Sequence, residues 1–206
     1  LSSKYNIPIV EDSAQAMGSF YKKKHGGTFG VSGAVSCHPL KNLNALGDGG
    51  LLLTNSDEVA QKVRLYRNHG LESRDNCVEY GVNSRLDILN AEVLSFRLKQ
   101  LDNITKKRQK NVKIYKELIK TKKATLPEEN NFQSTSYVMC LGLFEERDQL
   151  QSFLFSNGIE SMVYYGTPLH LHKAASRFGY KRGDFPIAEK QSEMVLAIPH
   201  HQHLTY

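Results

Sequence analysis

Short apolar blocks separated by polar residues run through the first half of the chain, and they predict the strands of a sheet. Residues 7–10 form an apolar run that stops at Glu11 and Asp12, which predicts a buried parallel strand with carboxylates at its carboxyl end. Residues 34–36 and 50–54 predict two further strands. Open α/β sheets bind ligands beyond the carboxyl ends of their strands, so the side chains at those ends are the first candidates for a site.

Turn and capping residues predict how these strands are connected. Residues 22–30 contain several glycines and predict a hairpin with its tip around Gly26 and Gly27. Asn55 predicts the cap of a helix, because Glu58 follows it at the spacing of a capping box. One apolar face then repeats at helical spacing, at Val59, Val63 and Tyr66.

A long helical pattern begins at about Asp87 and joins the two halves of the chain. Its apolar positions recur at helical spacing, at Leu94, Leu98, Leu101, Ile104, Val112, Tyr115 and Ile119. A basic interval at residues 106–108 interrupts this stripe. The pattern predicts about 30 residues of helix, which is long for a globular domain. We therefore expect one helix that spans two domains, with its basic middle in solvent.

The character of the sequence changes after Pro127. The pattern predicts a strand, a helix, a strand and a helix in turn, at residues 137–143, 145–156, 159–165 and 186–196. Asn157 and Gly158 close the first of these helices, and Pro186 stands early in the second. The chain therefore divides into a first portion at residues 1–100 and a small α+β domain at residues 101–206.

Composition excludes several classes of protein. The 206 residues are 40% hydrophobic and 23% charged, which is a globular composition and not that of a disordered chain. Three cysteines without a paired motif favour a reducing cytoplasm, and no apolar run approaches the ~20 residues of a membrane span. The chain opens Leu-Ser-Ser-Lys, so we expect it to begin partway through a longer protein. A net charge of +6 leaves a basic nucleic-acid-binding domain open as an alternative.

The polar residues that follow the predicted strands suit covalent chemistry. Asp12 and Gln15 follow the first strand, while Ser36, His38 and Lys41 follow the second. A lysine beside a strand end, with an acid across a crevice, suits nucleophilic chemistry on a carbonyl group. Residue type alone leaves two plainer interpretations open, a solvated surface lysine and an aspartate that caps a helix.

An ordered set of short motifs decides between these interpretations. The motifs are E-D-S-A-Q-A at residues 11–16, G-G-T-F-G at 26–30, S-C-H-P-L-K-N-L at 36–43, G-D-G-G at 47–50, R-N-H-G at 67–70, G-V-N-S-R-L-D at 81–87, P-L-H at 168–170 and G-D-F-P with A-E at 183–189. Together they resemble the pyridoxal-phosphate-dependent nucleotide-sugar aminotransferases of the DegT/StrS type. The resemblance covers nearly the whole chain.

The resemblance implies an α/β fold, that of a fold-type-I aminotransferase. Residues 1–100 would be the C-terminal part of the large, cofactor-binding domain, with a mainly parallel sheet and helices. The long helix and residues 101–206 would form the small C-terminal α+β domain. Members of the family are considerably longer, so the N-terminal part of the large domain would be missing from this chain.

The resemblance also assigns roles to individual residues. Lys41 matches the lysine that holds pyridoxal 5′-phosphate covalently, and Asp12 matches the acid that pairs with the pyridine nitrogen; these two are the predicted catalytic residues. Gln15 matches a contact on the hydroxyl side of the ring. Ser36 matches a hydroxyl donor to the cofactor phosphate, and Asn83 matches an asparagine that reaches the phosphate of the neighbouring subunit's cofactor. A homodimer with a shared active site would follow.

Three further residues are predicted to lie near the substrate: His38, Arg85 and His170. For Arg85 the alternative is an interface ion pair, and for His170 an ordinary polar loop residue. We expect no metal site, although His200, His201 and His203 stand close together in the sequence.

Two positions depart from the family pattern. Cys37 stands where an aromatic residue is common, and Asp48 stands where glutamate is common. A sister branch of the family that dehydrates sugars carries histidine in place of the lysine, so Lys41 argues against that branch.

The predicted function is therefore the transfer of an amino group from glutamate to a nucleotide-linked keto-sugar, for amino-sugar and surface polysaccharide biosynthesis. The expected partners are these two substrates and a second copy of the chain, in the cytoplasm, with neither nucleic acid nor a membrane. The alternative is a pyridoxal-phosphate-binding relative with a regulatory or degenerate role.

Overall fold

The computed structural model describes residues 1–205. Its α-helices, in chain order, are α1 (Ser2–Tyr5), α2 (Asp57–Tyr66), α3 (Ile88–Leu98), α4 (Leu101–Leu118), α5 (Arg147–Ser156) and α6 (Pro186–Met194). Two short 3₁₀ helices cover Leu169–Leu171 and Lys173–Phe178. Within the described residues, no helix combines the length and the apolar character that a membrane span requires.

The strands are short, and most belong to three-stranded sheets. In chain order they are β1 (Val10–Asp12), β2 (Phe20–Tyr21), β3 (Lys24–His25), β4 (Ser32–Ser36), β5 (Gly50–Leu53), β6 (Leu71–Ser73), β7 (Asn76–Cys77), β8 (Ala124–Thr125), β9 (Gln133–Ser134), β10 (Cys140–Phe144) and β11 (Val195–Ile198).

The chain forms two compact units. The first contains Leu1–Lys106 together with Glu129–Val138, and the second contains Lys107–Glu128 together with the residues from Met139 onward. Helix α4 begins in the first unit and ends in the second, and the chain then returns to the first unit for ten residues. Residues 129–138, called the returning segment below, were not predicted to belong there.

The sheet of the first unit has the order β1–β4–β5. Strand β1 runs parallel to β4, and β5 runs antiparallel to β4, so the sheet is mixed. The two strands predicted at residues 34–36 and 50–54 are confirmed as β4 and β5. The first predicted strand is shifted: β1 begins at Val10, and Ile7 and Ile9 precede it.

The prediction that this first strand is buried is wrong for the described chain. Ile7, Ile9 and Val10 are 61%, 47% and 67% exposed. Strand β1 lies at the edge of its sheet, and no strand of the described residues pairs with its outer side. An edge strand has one neighbour instead of two, which leaves its apolar side chains uncovered.

The core of the first unit lies beneath the loop that joins β4 to β5. It contains the buried residues Cys37, Leu43, Ala45, Leu94 and Leu101, with Met17, Leu51 and Leu86 packed against them. Three of the five buried members come from the loop itself. The loop is therefore held by hydrophobic burial as well as by hydrogen bonds.

Local backbone geometry corrects two predictions in this unit. The hairpin of β2 and β3 turns at Lys22 and Lys23, both with positive φ (48° and 66°), and not at Gly26 and Gly27. Positive φ at both central residues is the geometry of a tight hairpin turn, which lysine adopts here although glycine is favoured. Helix α2 is capped by Ser56, whose hydroxyl accepts from the Val59 N–H at 3.3 Å, and not by Asn55.

The predicted continuous helix is wrong, because the structure breaks it at Lys99 and Gln100 into α3 and α4. The apolar stripe continues across the break, so periodicity gives no sign of it. The basic interval is not wholly in solvent either: Arg108 is only 7% exposed, and its guanidinium donates to Gln202 Oε1 at 3.2 and 3.0 Å. Burial lowers the pKa of Arg108 from its ordinary value.

The second unit is built on an antiparallel sheet of order β11–β10–β8. Cys140 and Leu196 are fully buried in it, and burial raises the pKa of the Cys140 thiol to about 11. The helices predicted at residues 145–156 and 186–196 are confirmed as α5 and α6, although α6 gives way to β11 at Val195. The strand predicted at 159–165 is wrong, since only an isolated bridge joins Met162 to Ala197.

Candidate active site

Strand register brings two of the predicted residues to the carboxyl end of the first unit's parallel strands, where the loop that carries Lys41 begins. Asp12 ends β1 opposite Ala34. Ser36 ends β4 two residues beyond Ala34, which is about 7 Å farther along that strand. Because side chains alternate along a strand, Asp12 and Ser36 project from the same face, opposite to the buried Val35. The loop that carries Lys41 begins directly after Ser36 and returns at Gly50, which pairs with Ser36.

The Asp12 carboxylate is oriented by its own backbone. Its Oδ1 accepts a hydrogen bond from the Ala14 N–H at 3.1 Å, which is a turn that aspartate commonly stabilises. The residue is exposed, and its second oxygen stays available to accept from a ligand. Gln15 is likewise exposed three residues later, in the same turn region.

Glu11, the residue before Asp12, has a structural function that the sequence analysis missed. Its carboxylate accepts from the backbone N–H groups of Gly27, Phe29 and Gly30 at 2.8, 2.5 and 2.6 Å. Burial raises the pKa of this carboxyl, but the three hydrogen bonds and the Lys24 charge outweigh that effect and hold the pKa below its ordinary value. Side chains alternate between the two faces of a strand, so Glu11 points to the face opposite to that of Asp12. This alternation could have predicted that the two acids have different functions.

We expect Glu11→Gln to lower stability in a pH-dependent way. Because the folded-state pKa lies below the unfolded one, the carboxylate stabilises the fold above about pH 4.3, and that stability is lost as pH falls through the folded pKa. The loss at neutral pH should be on the order of 1–2 kcal/mol, or a few degrees in Tm. Thermal unfolding of both proteins from neutral to acidic pH tests this, and a Tm difference that stays constant on acidification contradicts it.

Three backbone hydrogen bonds hold the shape of the Lys41 loop. Cys37 N–H donates to the Gly49 carbonyl at 2.8 Å, Ala45 N–H donates to the Cys37 carbonyl at 2.8 Å, and Lys41 N–H donates to the His38 carbonyl at 2.9 Å. Lys41 is half-buried, and among the described residues none forms an ion pair with it. Its ammonium group is therefore not committed to a carboxylate.

Cys37 belongs to the core and not to the chemistry of the loop. Its side chain is fully buried, and burial raises the pKa of its thiol. A buried, protonated thiol is unreactive, so the departure from an aromatic residue at this position affects packing.

Ser36 and His38 form the start of the loop. Ser36 Oγ accepts from the His38 N–H at 3.3 Å, which leaves the hydroxyl proton of Ser36 free to donate to a ligand. His38 Nδ1 accepts from the Leu40 N–H at 3.2 Å, and the residue is exposed. Both side chains thus lie where a ligand at the sheet edge would meet them.

Asn83 and Arg85 form a separate exposed group in the first unit. The Arg85 guanidinium donates to Asn83 Oδ1 at 3.1 Å and to Asn68 Oδ1 at 3.3 Å, and Asn68 and Asn83 also share an isolated β-bridge. No hydrogen bond among residues 1–205 links this group to Asp12 or Lys41. Asn83 is thus oriented by Arg85 on a surface of its own.

His170 lies in the second unit, where the structure buries it against an acid. Its Nε2 is 2.9 Å from Glu189 Oε1, and the two side chains are 8% and 9% exposed. The Glu189 oxygens also accept from the Gly183 N–H at 2.8 and 3.0 Å, and the ring of Phe185 lies 4.7 Å from that of His170. Burial raises the pKa of Glu189, and the hydrogen bonds from Gly183 and His170 lower it by more. Glu189 of α6 therefore holds both the 3₁₀ helix that contains His170 and the loop residue Gly183.

The donor set at the sheet edge fits the cofactor that the sequence implies. A protonated pyridine nitrogen needs an acid, and Asp12 offers a carboxylate oxygen to which no described residue donates. A phosphate needs a hydroxyl or N–H donor, which Ser36 supplies, and an aldehyde carbon needs an uncommitted amine, which Lys41 supplies. Within the described residues, no cluster of His, Cys, Asp and Glu has the arrangement of a metal site.

Comparison with known proteins indicates the family. The model of the DegT/DnrJ/EryC1/StrS aminotransferase family matches residues 1–206. The chain is 37% identical to a pleiotropic regulatory protein of Geobacillus stearothermophilus over 97% of its own length and 54% of that protein. It is 34% identical to the erythromycin biosynthesis sensory transduction protein EryC1 of Saccharopolyspora erythraea, over 100% and 56% of the two chains. It is 35% identical to the dTDP-3-amino-3,6-dideoxy-alpha-D-galactopyranose transaminase of Aneurinibacillus thermoaerophilus, over 97% and 54%.

Solved structures give the same result. S. venezuelae DesV is 33% identical, with a TM-score of 0.94 over 99% of this chain and 55% of that one. A DegT DnrJ EryC1 StrS aminotransferase from Brucella abortus is 32% identical, with a TM-score of 0.93 over 99% and 55%. These likenesses confirm the predicted α/β fold of the fold-type-I class. The chain spans little more than half the length of the relatives it matches.

Proposed function

This chain belongs to the DegT/DnrJ/EryC1/StrS aminotransferase family, and we propose that it provides the lysine-bearing part of a nucleotide-sugar aminotransferase. Aminotransferases of this family depend on pyridoxal 5′-phosphate. One observation supports the proposal most directly: the strand register brings Asp12, Ser36 and the Lys41 loop to the same edge of one sheet.

The proposed chemistry divides among these residues. Pyridoxal phosphate supplies an electron-accepting ring on which the amino group is carried. The Asp12 carboxylate keeps the proton on the pyridine nitrogen; at ~3 Å and an effective dielectric constant of ~20 the attraction is roughly 5 kcal/mol before desolvation is subtracted. The Lys41 amine holds the cofactor between reactions, then moves a proton to and from the substrate carbon. Ser36 would donate to the phosphate, and Gln15 would contact the hydroxyl side of the ring.

We propose glutamate as the amino donor and a nucleotide-linked keto-sugar as the acceptor. In the first half-reaction glutamate gives up its amino group and leaves as 2-oxoglutarate. In the second, the keto-sugar takes the amino group and leaves as an amino-sugar nucleotide. The transaminase of A. thermoaerophilus supports the sugar acceptor, because its name specifies a dTDP-linked amino sugar. The reaction would take place in the cytoplasm, and its product would be used for surface polysaccharide or antibiotic glycosylation. His38 and Arg85 would lie near the sugar nucleotide.

We propose that two copies of the chain assemble with a shared site. In the first unit, large apolar side chains are exposed on α3 and the segment before it: Tyr80 at 98%, Ile88 at 84%, Leu89 at 76% and Phe96 at 61%. A monomeric surface rarely exposes so many large apolar groups within one segment. Asn83 lies in the same segment, which supports its contact with the partner's cofactor. Light scattering of the full-length protein at the mass of one chain would contradict this assembly.

A regulatory role is the second candidate. It is favoured by the names of two relatives, the pleiotropic regulatory protein of G. stearothermophilus and the sensory transduction protein EryC1. The uncommitted Lys41 amine favours catalysis instead, because a protein that only senses the cofactor does not need a proton-transfer group. Cofactor binding without conversion of glutamate would favour the regulatory role.

The direct test is an amino-transfer assay on the full-length protein loaded with pyridoxal phosphate. We expect glutamate to be converted to 2-oxoglutarate, and one member of a panel of keto-sugar nucleotides to gain an amino group, as measured by mass spectrometry. Omission of the keto-sugar is the matched control and should limit 2-oxoglutarate to about one equivalent per site. A folded, cofactor-loaded protein that converts no glutamate would overturn the proposal of catalysis.

A further inference from the structure

A buried hydrogen bond anchors the residue that follows Lys41. Asn42 is 4% exposed, and its side-chain Nδ2 donates to the backbone carbonyl of Ser136 at 2.9 Å. Ser136 is fully buried and belongs to the returning segment, 94 positions away in the sequence. The bond therefore connects the Lys41 loop to a part of the first unit that is remote along the chain.

The returning segment is tied on its other side to the segment that carries Asp12 and Gln15. Ser19 Oγ accepts from the Ser136 N–H at 3.0 Å and lies 2.9 Å from Ser136 Oγ. Strand β9 of the same segment pairs with β2, with Phe20 opposite Ser134. Ser136 thus bridges the segment from Asp12 to Ser19 and the loop from Ser36 to Gly50.

The surroundings of this bridge leave little room for adjustment. A Cβ atom on Gly18 would lie 2.9 Å from Thr105 Oγ1 and 3.4 Å from Ser136 Cβ. Asn42 Oδ1 and Thr105 Oγ1 are buried and have no hydrogen-bond partner among the described residues. Loss of the Asn42 donor would therefore leave the Ser136 carbonyl buried and unsatisfied, unless the loop moved.

Two further hydrogen bonds attach the loop to another element, at positions farther from Lys41. Arg97 donates to the Asn44 carbonyl at 2.6 Å, and the Leu46 N–H donates to Asn90 Oδ1 at 3.0 Å. Both attach the later part of the loop to α3. Asn42, directly beside Lys41, ties the loop to a segment remote in the sequence. A rotation of the backbone there would swing the amine at the end of its four-carbon stem.

We propose that Asn42 is a positioning residue, which holds the Lys41 amine at the cofactor aldehyde through its hydrogen bond to the Ser136 carbonyl. The inference rests on the proposed function. It makes the returning segment part of the cofactor site, although no residue of that segment matched a site motif.

The test compares two forms of the cofactor on the full-length protein. Pyridoxal phosphate bonds to Lys41, whereas pyridoxamine phosphate has no aldehyde and binds without it. We expect Asn42→Ala to lower the affinity for pyridoxal phosphate by about tenfold, equivalent to about 1.4 kcal/mol. The affinity for pyridoxamine phosphate should fall by less than about twofold. Absorbance titration measures the first affinity, and calorimetry measures the second.

Asn111→Ala is the matched control. Asn111 is also 4% exposed, and its Nδ2 donates to the backbone carbonyl of His201 at 2.8 Å, in the second unit. Its loss should lower Tm by a similar amount and leave the ratio of the two affinities unchanged. Equal weakening of both cofactor forms in Asn42→Ala would overturn the inference, because it would mean a general loss of structure.

A milder variant covers the case in which Asn42→Ala does not fold. Ser19→Ala removes the acceptor of the Ser136 N–H. It should lower the affinity for pyridoxal phosphate by a factor about three times as large as the factor for pyridoxamine phosphate. An unchanged ratio in this variant would overturn the inference. Failure of the proposed function has a different signature: the unsubstituted protein would bind neither form.

Discussion

Lys41→Ala is expected to abolish the visible absorbance that bound pyridoxal phosphate gives and to lower amino transfer by about 10³-fold or more. In the proposed mechanism the substitution removes both the amine that holds the cofactor and the group that moves the proton, and proton transfer alone contributes 10²- to 10⁴-fold. Lys41 is half-buried and forms no ion pair among the described residues, so the fold should lose little stability. Absorbance spectra and single-turnover rates with glutamate measure the effect.

Lys62→Ala is the matched control for this experiment. Lys62 lies on α2 of the same unit and pairs with Glu58 at 2.8 Å, with both side chains at least 70% exposed. Such a surface pair contributes about 0–1 kcal/mol to stability, and activity should not change. A Lys41→Ala protein that keeps the absorbance band and the rate would show that another amine holds the cofactor.

Asp12→Asn is expected to lower amino transfer by about 10²-fold or more, at nearly unchanged stability. The amide oxygen can still accept from the Ala14 N–H, so the turn is kept. The negative charge that is proposed to retain the proton on the pyridine nitrogen is lost, and removal of one such electrostatic partner costs about 10²–10³ in rate. Because Asp12 is exposed, Tm should change by no more than about 2 °C.

Asp57→Asn is the matched control for Asp12→Asn. Asp57 is the first residue of α2, where its charge favours the helix by about 0.3–1 kcal/mol. Its replacement should cost a little stability and no activity, the reverse of the result for Asp12. If Asp12→Asn instead lost stability and kept its rate, Asp12 would be a turn residue and not a partner of the cofactor.

The local pattern predicts the parts of the fold that depend on neighbouring residues. Strands β4 and β5 follow from their apolar runs, and α5 follows from its periodicity and from Asn157 and Gly158 beyond its end. The break at Lys99 and Gln100 does not, because both residues form helices readily and the apolar stripe continues past them.

The site residues also divide into those that the local sequence indicates and those that depend on contacts remote in the sequence. The ordered motifs indicate Lys41, Asp12 and Ser36; the register then brings Asp12 and Ser36 to the carboxyl end of the parallel strands, where the Lys41 loop begins. Glu11 and Asn42 are not among the predicted site residues, although they are adjacent to Asp12 and Lys41. The hydrogen-bond partners of Glu11 lie 16 to 19 positions away, and that of Asn42 lies 94 positions away. Hydrogen bonds over such separations leave no periodic signal in a single sequence.

The return of residues 129–138 to the first unit has a consequence for synthesis on the ribosome. Until Ser136 has left the exit tunnel, the backbone beside Lys41 lacks its anchor, even though β1, β4 and β5 are already available for pairing. The nascent chain thus carries a Lys41 loop without its Asn42 anchor while some ninety further residues are translated. If Asn42 positions Lys41 as proposed, a pause or truncation in that interval would leave the strands able to pair and the Lys41 amine without its fixed position.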